Sequence, residues 1–374
     1  MKIALVCPYN VFGCGGVQEC VFAIQEGLIK LGHEAYVISS KPNGHEEVPK
    51  NGLILLGTAR PIRVAKTSAH VSATIETDKL DEVLQRENFD VIHFHEPWVP
   101  MLSLQILTKS NAAHVATFHA AMSERFTSRT VEKVIIPYTK SIIKHIDVLT
   151  AVSPTATNYI KTLTRKNIQI VSNGIDLAKY RFDNIHKINP KHKTIFYVGR
   201  LEKRKGIKYL LDAFKLISDH DKSFNLVIAG DGPDREKLED YAERQSIKNV
   251  KFLGYIDEPT KLKYLSEADI FCSAAIYGES FGIVLLEAMA KGCVVVAGDN
   301  GGYESVMTGL GQISLVNPKD SYDFARRLRL LATDEELRQV WKNWAKKHVK
   351  QFDYKNVIDE YLKIYQKAYE RHQK

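Results

Sequence analysis

The sequence has few of the features that mark secreted, zinc-binding and membrane-spanning proteins. Its cysteines are odd in number and lack a CxxC pair, which predicts reduced thiols and not a disulfide framework or a zinc site. No apolar run approaches the ~18 residues of a membrane-spanning helix. The first apolar run, Ile3 to Val6, is too short for a signal peptide, so we expect a cytoplasmic protein. The five cysteines are Cys7, Cys14, Cys20, Cys272 and Cys293.

The glycine fingerprint GxGxxG of dinucleotide-binding folds is also absent, although the chain opens on a related pattern. A strand at residues 2–7 is followed by a loop that ends in Gly15-Gly16, a helix from Val17 to Leu31 and a strand from Ala35 to Ser39. This order is the βαβ unit of a parallel sheet. A diglycine at a helix start lets backbone N–H groups approach a phosphate closely.

Length and charge bound the remaining possibilities. The chain has 374 residues, of which 44% are hydrophobic, so it can form two domains with cores of their own. Its net charge of +8 fits an anionic substrate, a nucleic acid or an anionic membrane surface. Charge alone does not choose among these partners.

Polar residues follow two further predicted strands, Asp90 to His93 and Val115 to Phe118. The carboxyl ends of parallel strands meet at one edge of a sheet, where doubly wound folds bind their ligands. We expect His95 and Glu96 to be structural or to contact substrate, because no third metal ligand lies at a usable spacing. For His119, a site role and a packing role are equally open.

Three segments carry weaker signals. Residues 41–75 follow no clear pattern, and we predict irregular structure there. Arg125, Arg129 and Lys133 lie four residues apart and share a helix face, which is either solvated or a surface for anionic lipid head groups. The polar residues 181–193 are the predicted linker.

The second half repeats the strand, loop and helix pattern with basic residues in the loop. The strand Thr194 to Val198 precedes Gly199 to Gly206, and a helix runs from Ile207 to Ile217. Arg200 and Lys205 can neutralise a diphosphate bound at this helix start. A solvated basic turn is the alternative.

The segment Gly278 to Glu287 combines two carboxylates with a helix start. Glu279 and Glu287 lie eight residues apart, which is at most ~12 Å along a helix. They can bracket an anion and each accept hydrogen bonds from sugar hydroxyls, although an ordinary acidic helix start is equally open. The backbone N–H groups that would face the anion are those of Phe281, Gly282 and Ile283.

The C-terminal region is helical and basic. Trp341 and Trp344 share a helix face near several lysines. This indicates either a packed helix whose other face is exposed to solvent or an interfacial membrane patch. A last amphipathic helix is predicted from the spacing of Val357, Tyr361, Ile364, Tyr365 and Ala368.

Taken together, four motifs resemble those of the retaining glycosyltransferases of family 4, which have the GT-B fold. The resemblance runs from about residue 1 to residue 370. The motifs are Gly15-Gly16-Val17-Gln18, Asn173-Gly174-Ile175-Asp176, the basic pair Arg200 and Lys205, and the E-x7-E pair Glu279 and Glu287.

This resemblance implies an α/β fold of the GT-B type, with two Rossmann-like doubly wound domains facing across a cleft. The expected ranges are 1–182 for an N-terminal acceptor domain and 193–352 for a C-terminal nucleotide-sugar donor domain. Residues 353–374 would form a C-terminal helix that crosses back and packs on the N-terminal domain.

The resemblance also assigns roles to residues. Glu287 would hold the ribose, Glu279 the donor sugar, and Arg200 with Lys205 the diphosphate, while His119 would contact the sugar near the reacting carbon. His119, Arg200, Lys205 and Glu279 are the expected catalytic residues. The remaining donor-site residues would be Gly15, Gly16, Phe281, Gly282 and Ile283, and the acceptor-site residues Tyr9, Gln18 and His119.

The implied reaction moves a hexose, with mannose favoured, from a nucleotide-diphosphate sugar to a lipid acceptor such as phosphatidylinositol or another glycolipid precursor. Configuration would be retained by same-face attack, with the leaving phosphate taking the acceptor proton. The main alternative is a retaining transferase with a soluble or cell-surface polysaccharide acceptor and a glucose, galactose or N-acetylglucosamine donor. A sugar-nucleotide epimerase and a non-catalytic nucleotide-sugar binder are further alternatives, and the intact motifs argue against both.

No cofactor or metal is expected beyond the sugar nucleotide. The one Asp-x-Asp sequence, Asp219-His220-Asp221, precedes a strand and so falls on the wrong side of the sheet for a donor metal. The expected partners are the sugar nucleotide and a lipid or glycan acceptor, without nucleic acid. Contact with an anionic membrane at the inner face of the cell membrane is left open.

Overall fold

The protein forms two compact units in a computed structural model that describes residues 1–13, 15–42, 51–64, 67–74, 77–99, 102–120, 129–180 and 192–373. One unit comprises Met1–Gly174 with Tyr354–Lys374, and the other comprises Ile175–Asp353. Residues 175–180 lie with the second unit although the predicted N-terminal range runs to 182. Ile175 N–H donates to the Phe352 carbonyl at 2.8 Å, which ties this segment there. Most of the predicted linker, residues 181–191, is outside the described residues.

The first unit is built on one eight-stranded sheet in the order β4-β3-β2-β1-β5-β6-β7-β8. Its strands are parallel except for β4, which pairs antiparallel with β3 at the edge. The central strands β5 and β6 are buried along their whole length, as expected of a parallel sheet covered on both faces. The strands are β1 (Lys2–Val6), β2 (Glu34–Pro42), β3 (Leu53–Val64), β4 (Thr67–Thr74), β5 (Val91–His95), β6 (Ala113–Phe118), β7 (Val148–Ala151) and β8 (Ile168–Ile170).

Helices lead from β1, β4, β5, β6 and β7 to the next strand, as parallel connections require. The last helix of the chain, α13, belongs to this unit and buries one apolar face against its core, which confirms the predicted return of the C-terminal helix. The helices are α1 (Gly16–Lys30), α2 (Thr77–Glu87), α3 (Leu102–Lys109), α4 (Arg129–Ile143), α5 (Pro154–Lys161) and α13 (Tyr354–His372).

The second unit holds a six-stranded parallel sheet in the order β11-β10-β9-β12-β13-β14. Its strands are β9 (Lys193–Val198), β10 (Phe224–Ala229), β11 (Val250–Gly254), β12 (Ile270–Ser273), β13 (Val294–Gly298) and β14 (Leu315–Val316). Its helices are α6 (Ile207–His220), α7 (Arg235–Arg244), α8 (Glu258–Glu267), α9 (Ile283–Ala290), α10 (Gly301–Glu304), α11 (Ser321–Thr333) and α12 (Glu335–His348). The two sheets with their helices confirm the predicted α/β fold.

The strand order reverses once in each unit. In the first unit the reversal lies between β1 and β5, and in the second between β9 and β12. Loops at the carboxyl ends of strands part at such a point and leave a crevice for a ligand. His95 is the last residue of β5 and His119 follows β6, while the loops after β9 and β12 carry Lys205 and Glu279. The fold therefore brings the motif residues of each unit to its own switch point.

One expectation from the sequence was wrong. Residues 41–75 were predicted to be irregular, but most of the described part of this segment forms β3 and β4. An antiparallel edge hairpin is held by main-chain hydrogen bonds and does not need a continuous apolar pattern. For the helix that carries Trp341, a packed helix and a membrane patch were both open; the Trp341 side chain is fully buried and its indole N–H donates to Ser314 Oγ at 2.8 Å, which favours the packed helix.

The structure describes only some of the residues to which the remaining expectations apply. Cys7, Cys20, Cys272 and Cys293 are free thiols, as predicted, whereas Cys14 is outside the described residues. Arg125 is outside them as well, so the proposed lipid-facing helix side with Arg129 and Lys133 stays a prediction. None of the helices in the described ranges is both long and apolar enough to cross a bilayer.

Candidate functional site

In the second unit, the Glu279 carboxylate is held by two basic side chains from the loop after β9. Its Oε1 lies 2.6 Å from a guanidinium nitrogen of Arg204 and 2.8 Å from Lys205 Nζ. Burial lowers the pKa of Arg204, but the charges of Glu279 and Glu202 outweigh this effect and raise it. The loop therefore presents two fixed positive charges beside a carboxylate, which suits a ligand that carries both phosphate and hydroxyl groups.

Arg200, the other half of the predicted basic pair, lies differently. Its side chain is exposed, and its nearest carboxylate is Glu202, whose Oε2 lies 3.8 Å from Arg200 Nε. Among the described residues, it is Arg204 and not Arg200 that shares Glu279 with Lys205. Arg200 thus lies at the rim of the loop, where its side chain is open to solvent.

The position of this basic loop is set by close packing of main chains. Gly206 has φ +69°, and a Cβ there would lie 2.0 Å from the Ala274 carbonyl oxygen. The Ile276 N–H donates to the Arg204 carbonyl at 2.9 Å. Only glycine combines this conformation with this approach, so Gly206 fixes the loop against the segment that leads to Glu279.

Glu287 lies on α9, eight residues after Glu279, and has its own partners. Both of its oxygens are 3.0 Å from Lys261 Nζ, and Oε1 accepts from Tyr180 Oη at 2.9 Å. Burial lowers the pKa of Lys261, and the charges of Glu287 and Glu258 more than compensate and raise it. The carboxylate is buried but neutralised, and a ribose would have to share it with these donors.

The start of α9 is built as the sequence predicts, with Ile283 as the first helical residue. Gly282 precedes it with φ +121°, and a Cβ there would lie 2.8 Å from the Tyr303 ring. Phe281 is buried and packs edge-on to Phe352 at 5.8 Å between centroids. The Phe281 side chain therefore anchors the turn, and its contribution to a ligand would come from the backbone.

In the first unit, His119 lies in a cluster of buried polar side chains. Its Nε2 is 2.9 Å from Nδ1 of His95, and the two rings stack. Its backbone N–H and that of Ala120 donate to the carboxylate of Glu96, which also accepts from the Trp98 indole. His95 and Glu96 thus have a structural role that their sequence positions left open: they hold His119.

A second layer of hydrogen bonds lies behind this pair. His93 Nδ1 is 2.7 Å from Tyr365 Oη on α13, and His93 Nε2 is 2.6 Å from Thr117 Oγ1. The His93 and His95 ring centroids are 4.2 Å apart. The C-terminal helix is therefore connected to the histidine cluster by a buried polar contact.

Burial determines the charge of this cluster. It lowers the pKa of His93 to about 3 and that of His119 to about 4, and it lowers that of His95 well below the usual value. It also raises the pKa of Glu96 to about 7, against the opposing effect of the N–H donors. All three rings are consequently neutral at physiological pH.

A possible set of metal ligands is formed by Cys20, His95 and His119, whose donor atoms lie within 4.8 Å of one another. The sequence spacing gives no sign of this grouping. The two imidazoles already bond to each other, and burial raises the pKa of the Cys20 thiol to about 12, which disfavours the thiolate that a metal needs. The arrangement fits a packed polar cluster better than a metal site.

The remaining predicted residues of the first unit lie around the first helix. Gly15 and Gly16 form the start of α1, and Gly16 is exposed. Gln18 is partly exposed and its Nε2 donates to the Asn10 carbonyl at 3.2 Å, while the Tyr9 carbonyl accepts from Ser39 Oγ at 2.9 Å. These contacts order the loop after β1, next to the switch point of this sheet.

Two functional candidates, Arg204 and Lys261, were not selected from the sequence. Arg204 is adjacent to Lys205, which was selected, so its place in the same basic loop could have suggested it. Lys261 becomes visible only through its contact with Glu287.

Comparisons with known proteins agree with these features. The family model "Glycosyltransferase Family 4" matches residues 14–179, and "Glycosyl transferases group 1" matches residues 179–348. A phosphatidyl-myo-inositol mannosyltransferase of Mycolicibacterium smegmatis is 30% identical over 369 residues, which cover 98% of this chain and 94% of that protein.

Solved structures show the same fold. Sucrose-phosphate synthase from Thermosynechococcus elongatus matches with a TM-score of 0.76 at 20% identity, covering 99% of both chains. Anabaena Alr3699/HepE, solved with UDP and glucose, matches with a TM-score of 0.74 at 18% identity over 97% of this chain and 99% of that one. The predicted GT-B fold is confirmed. With both family models matched in order and a relative aligned over nearly the whole chain, this protein belongs to the family 4 glycosyltransferases.

Proposed function

We propose that this glycosyltransferase moves a mannosyl residue from GDP-mannose to phosphatidylinositol or a related glycolipid precursor, with retention of configuration. The relative from Mycolicibacterium smegmatis, named for mannosyl transfer to phosphatidyl-myo-inositol, supports this choice because it aligns over almost the entire chain. The observation that carries the transfer chemistry is the Glu279 carboxylate held between Arg204 and Lys205.

On this proposal the second unit binds the donor. Lys205, Arg204 and Arg200 would stabilise the negative charge that develops on the leaving nucleoside diphosphate. Glu279 would accept hydrogen bonds from hydroxyls of the donor sugar, and Glu287 from those of the ribose. The N–H groups at the start of α9 would add donors to the phosphate or the sugar.

The first unit would supply His119 to the sugar and the loop around Tyr9 and Gln18 to the acceptor. A neutral imidazole suits this task, since it can hydrogen-bond to a sugar oxygen without adding charge near the reacting carbon. No general base from the protein is assigned, because the leaving phosphate can take the acceptor proton. The enzyme would work in the cytoplasm, at the inner face of the cell membrane, without a metal cofactor.

The test is a transfer assay with purified full-length protein. GDP-mannose, UDP-glucose and UDP-N-acetylglucosamine are each supplied with and without vesicles that contain phosphatidylinositol, and both nucleotide release and labelled lipid are followed. We expect labelled lipid from GDP-mannose only. Lipid product from another donor would contradict the donor, and turnover of GDP-mannose only with a soluble glycan would favour the polysaccharide alternative.

Lys203 and Lys205 provide a matched pair of variants, because they lie two residues apart in one short 3₁₀ turn and Lys203 is exposed. Lys205→Met should lower kcat/KM for the donor by about 10- to 100-fold, since a hydrogen bond to a charged group contributes roughly 1.5–3 kcal/mol. Lys203→Met should leave it unchanged. Equal effects of the two changes would argue against a phosphate site in this loop.

A further inference from the structure

His119 shares a hydrogen bond with the neighbouring His95 ring, and the inference from this contact rests on the proposed role of His119 in contacting the donor sugar. Nε2 of His119 is occupied by His95 Nδ1 at 2.9 Å. The rings are stacked, with centroids 5.1 Å apart and planes at 27°, and both side chains are buried. Nδ1 is therefore the ring nitrogen of His119 that remains for a substrate.

The hydrogen bond between the two rings has a direction that the surroundings decide. In a pair of neutral imidazoles, one of the two facing nitrogens carries the proton and the other accepts it. The second nitrogen of His95, Nε2, is buried and finds no hydrogen-bond partner among the described residues. A buried N–H without a partner is rarer than a buried acceptor without one, so His95 Nε2 is the bare nitrogen.

It follows that His95 carries its proton on Nδ1 and donates it to His119 Nε2. We propose that His95 is a positioning residue that holds His119 in the tautomer protonated at Nδ1, so that His119 presents an N–H donor to a hydroxyl of the donor hexose. His119 then acts as a hydrogen-bond donor in the transfer reaction and not as a base.

Asn173 adds a second group to the same place. Its Oδ1 is buried and lacks a hydrogen-bond partner within the described part of the chain. Burial lowers the pKa of His119, and the nearby Asn173 carboxamide opposes that shift. A sugar hydroxyl can satisfy both groups, because it accepts from His119 Nδ1–H and donates to Asn173 Oδ1.

The His119 ring can hold this orientation because its main chain and its neighbour are both fixed. Glu96 accepts from the backbone N–H of His119, and the His93 ring packs against the His95 ring with centroids 4.2 Å apart. His93 is in turn bonded through both ring nitrogens, to Tyr365 and to Thr117. The His95 ring therefore packs against a neighbour that is itself held in place, which restricts its rotation.

Nuclear magnetic resonance reads the tautomer directly and needs no activity. Full-length protein with ¹⁵N-labelled histidine is recorded by long-range ¹H–¹⁵N correlation, and the His119 signals are identified by their absence in His119→Ala. We expect the His119 Nδ1 shift of a protonated nitrogen and the Nε2 shift of a bare one. The reverse pattern, or an equal mixture, would overturn the proposal.

Kinetics of two isosteric variants test the consequence for transfer. In His95→Asn the amide N–H replaces the N–H at Nδ1, whereas in His95→Gln the amide is displaced toward the Nε2 position. We expect His95→Gln to lower kcat by about 10- to 100-fold, as the loss of an orienting partner does, with little change in KM. His95→Asn should retain most of the activity; equal losses in both would count against a positioning role.

The two experiments separate the inference from the function on which it rests. If the wild-type protein turns over none of the sugar nucleotides, the proposed function fails, and the NMR result still decides the tautomer. If the wild-type protein is active and His119 is bare at Nδ1, the function stands and the inference fails.

Discussion

Lys261 Nζ lies 3.0 Å from each carboxylate oxygen of Glu287, so that a single lysine on α8 neutralises the second glutamate of the E-x7-E pair. Both side chains are largely removed from solvent, with 16% and 8% exposure. Glu279 has an equivalent arrangement with Arg204 and Lys205. Each carboxylate of the motif is thus paired with basic side chains of its own.

Replacing Lys261 by Met should destabilise the protein. The Glu287 carboxylate would keep only the Tyr180 hydroxyl of the two donors, and an incompletely paired buried charge costs about 1–3 kcal/mol. The measurement is the free energy of unfolding in urea. Lys263→Met, an exposed position on the same helix, is the control and should lie within about 0.5 kcal/mol of wild type. Equal stability of the two variants would show that the pair contributes little.

Gly302→Ala should disturb the Glu279 loop without touching a charged group. The added Cβ would lie 2.3 Å from the carbonyl oxygen of Glu279 and 2.5 Å from its carbonyl carbon, so the main chain must move. We expect a lower thermal stability and, on the proposed function, weaker binding of the sugar nucleotide by calorimetry. Gly13→Ala, where the nearest atom would be 3.5 Å away, is the control. Unchanged affinity in Gly302→Ala would separate the loop from donor binding.

Glu96→Gln should change how stability depends on pH. Burial raises the pKa of Glu96 to about 7 from 4.5, so the folded protein binds a proton that the unfolded chain releases between these values. This contribution is complete below pH 4.5 and is lost as pH rises through 7, and it amounts to at most about 3 kcal/mol.

The measurement for Glu96 is urea unfolding of both proteins at pH 5 and pH 8. Wild type should lose more stability than Glu96→Gln between these two values. The neighbouring histidines have lowered pKa values, and their opposite effect below pH 6.5 is common to both proteins. Identical pH dependence would mean that the N–H donors of Trp98, His119 and Ala120 keep Glu96 ionised throughout.

Tyr365→Phe should weaken the docking of α13. The change removes the hydroxyl 2.7 Å from His93 Nδ1 and leaves that buried nitrogen without this partner, at a cost of about 1–2 kcal/mol. Denaturant unfolding measures the loss. Tyr369→Phe lies one turn further on and is partly exposed, so it should have a smaller effect. If both changes lower the free energy of unfolding equally, the buried contact between Tyr365 and His93 does not contribute to the docking of α13.

Much of the fold and part of the site follow from local pattern. Apolar strands alternate with amphipathic helices, and this alone predicts parallel sheets with helices on both faces, as found. Gly282 before Ile283 predicts where α9 begins, and the structure begins it there. Such features depend on neighbours in the sequence, whose backbone preferences can be read directly.

The edge strands show where local pattern fails. β3 and β4 pair through their main chains at the edge of a sheet. Each strand forms because the other is there to pair with it, more than because of its own side-chain pattern. The same holds for Trp341, whose helix face looks amphipathic in sequence but is enclosed by the second unit. In both cases the partner surface comes from another part of the chain.

The sequence by itself determined the class of fold, the family and the chemical character of the site: two glutamates, a basic loop and a histidine at a strand end. Tertiary structure alone decided the pairings. It selected Arg204 over Arg200 as the partner of Glu279, placed Lys261 against Glu287, and set His95 and Glu96 behind His119. These contacts join residues between 23 and 75 positions apart. Their geometry depends on how strands and loops are packed, which no local spacing in the sequence specifies.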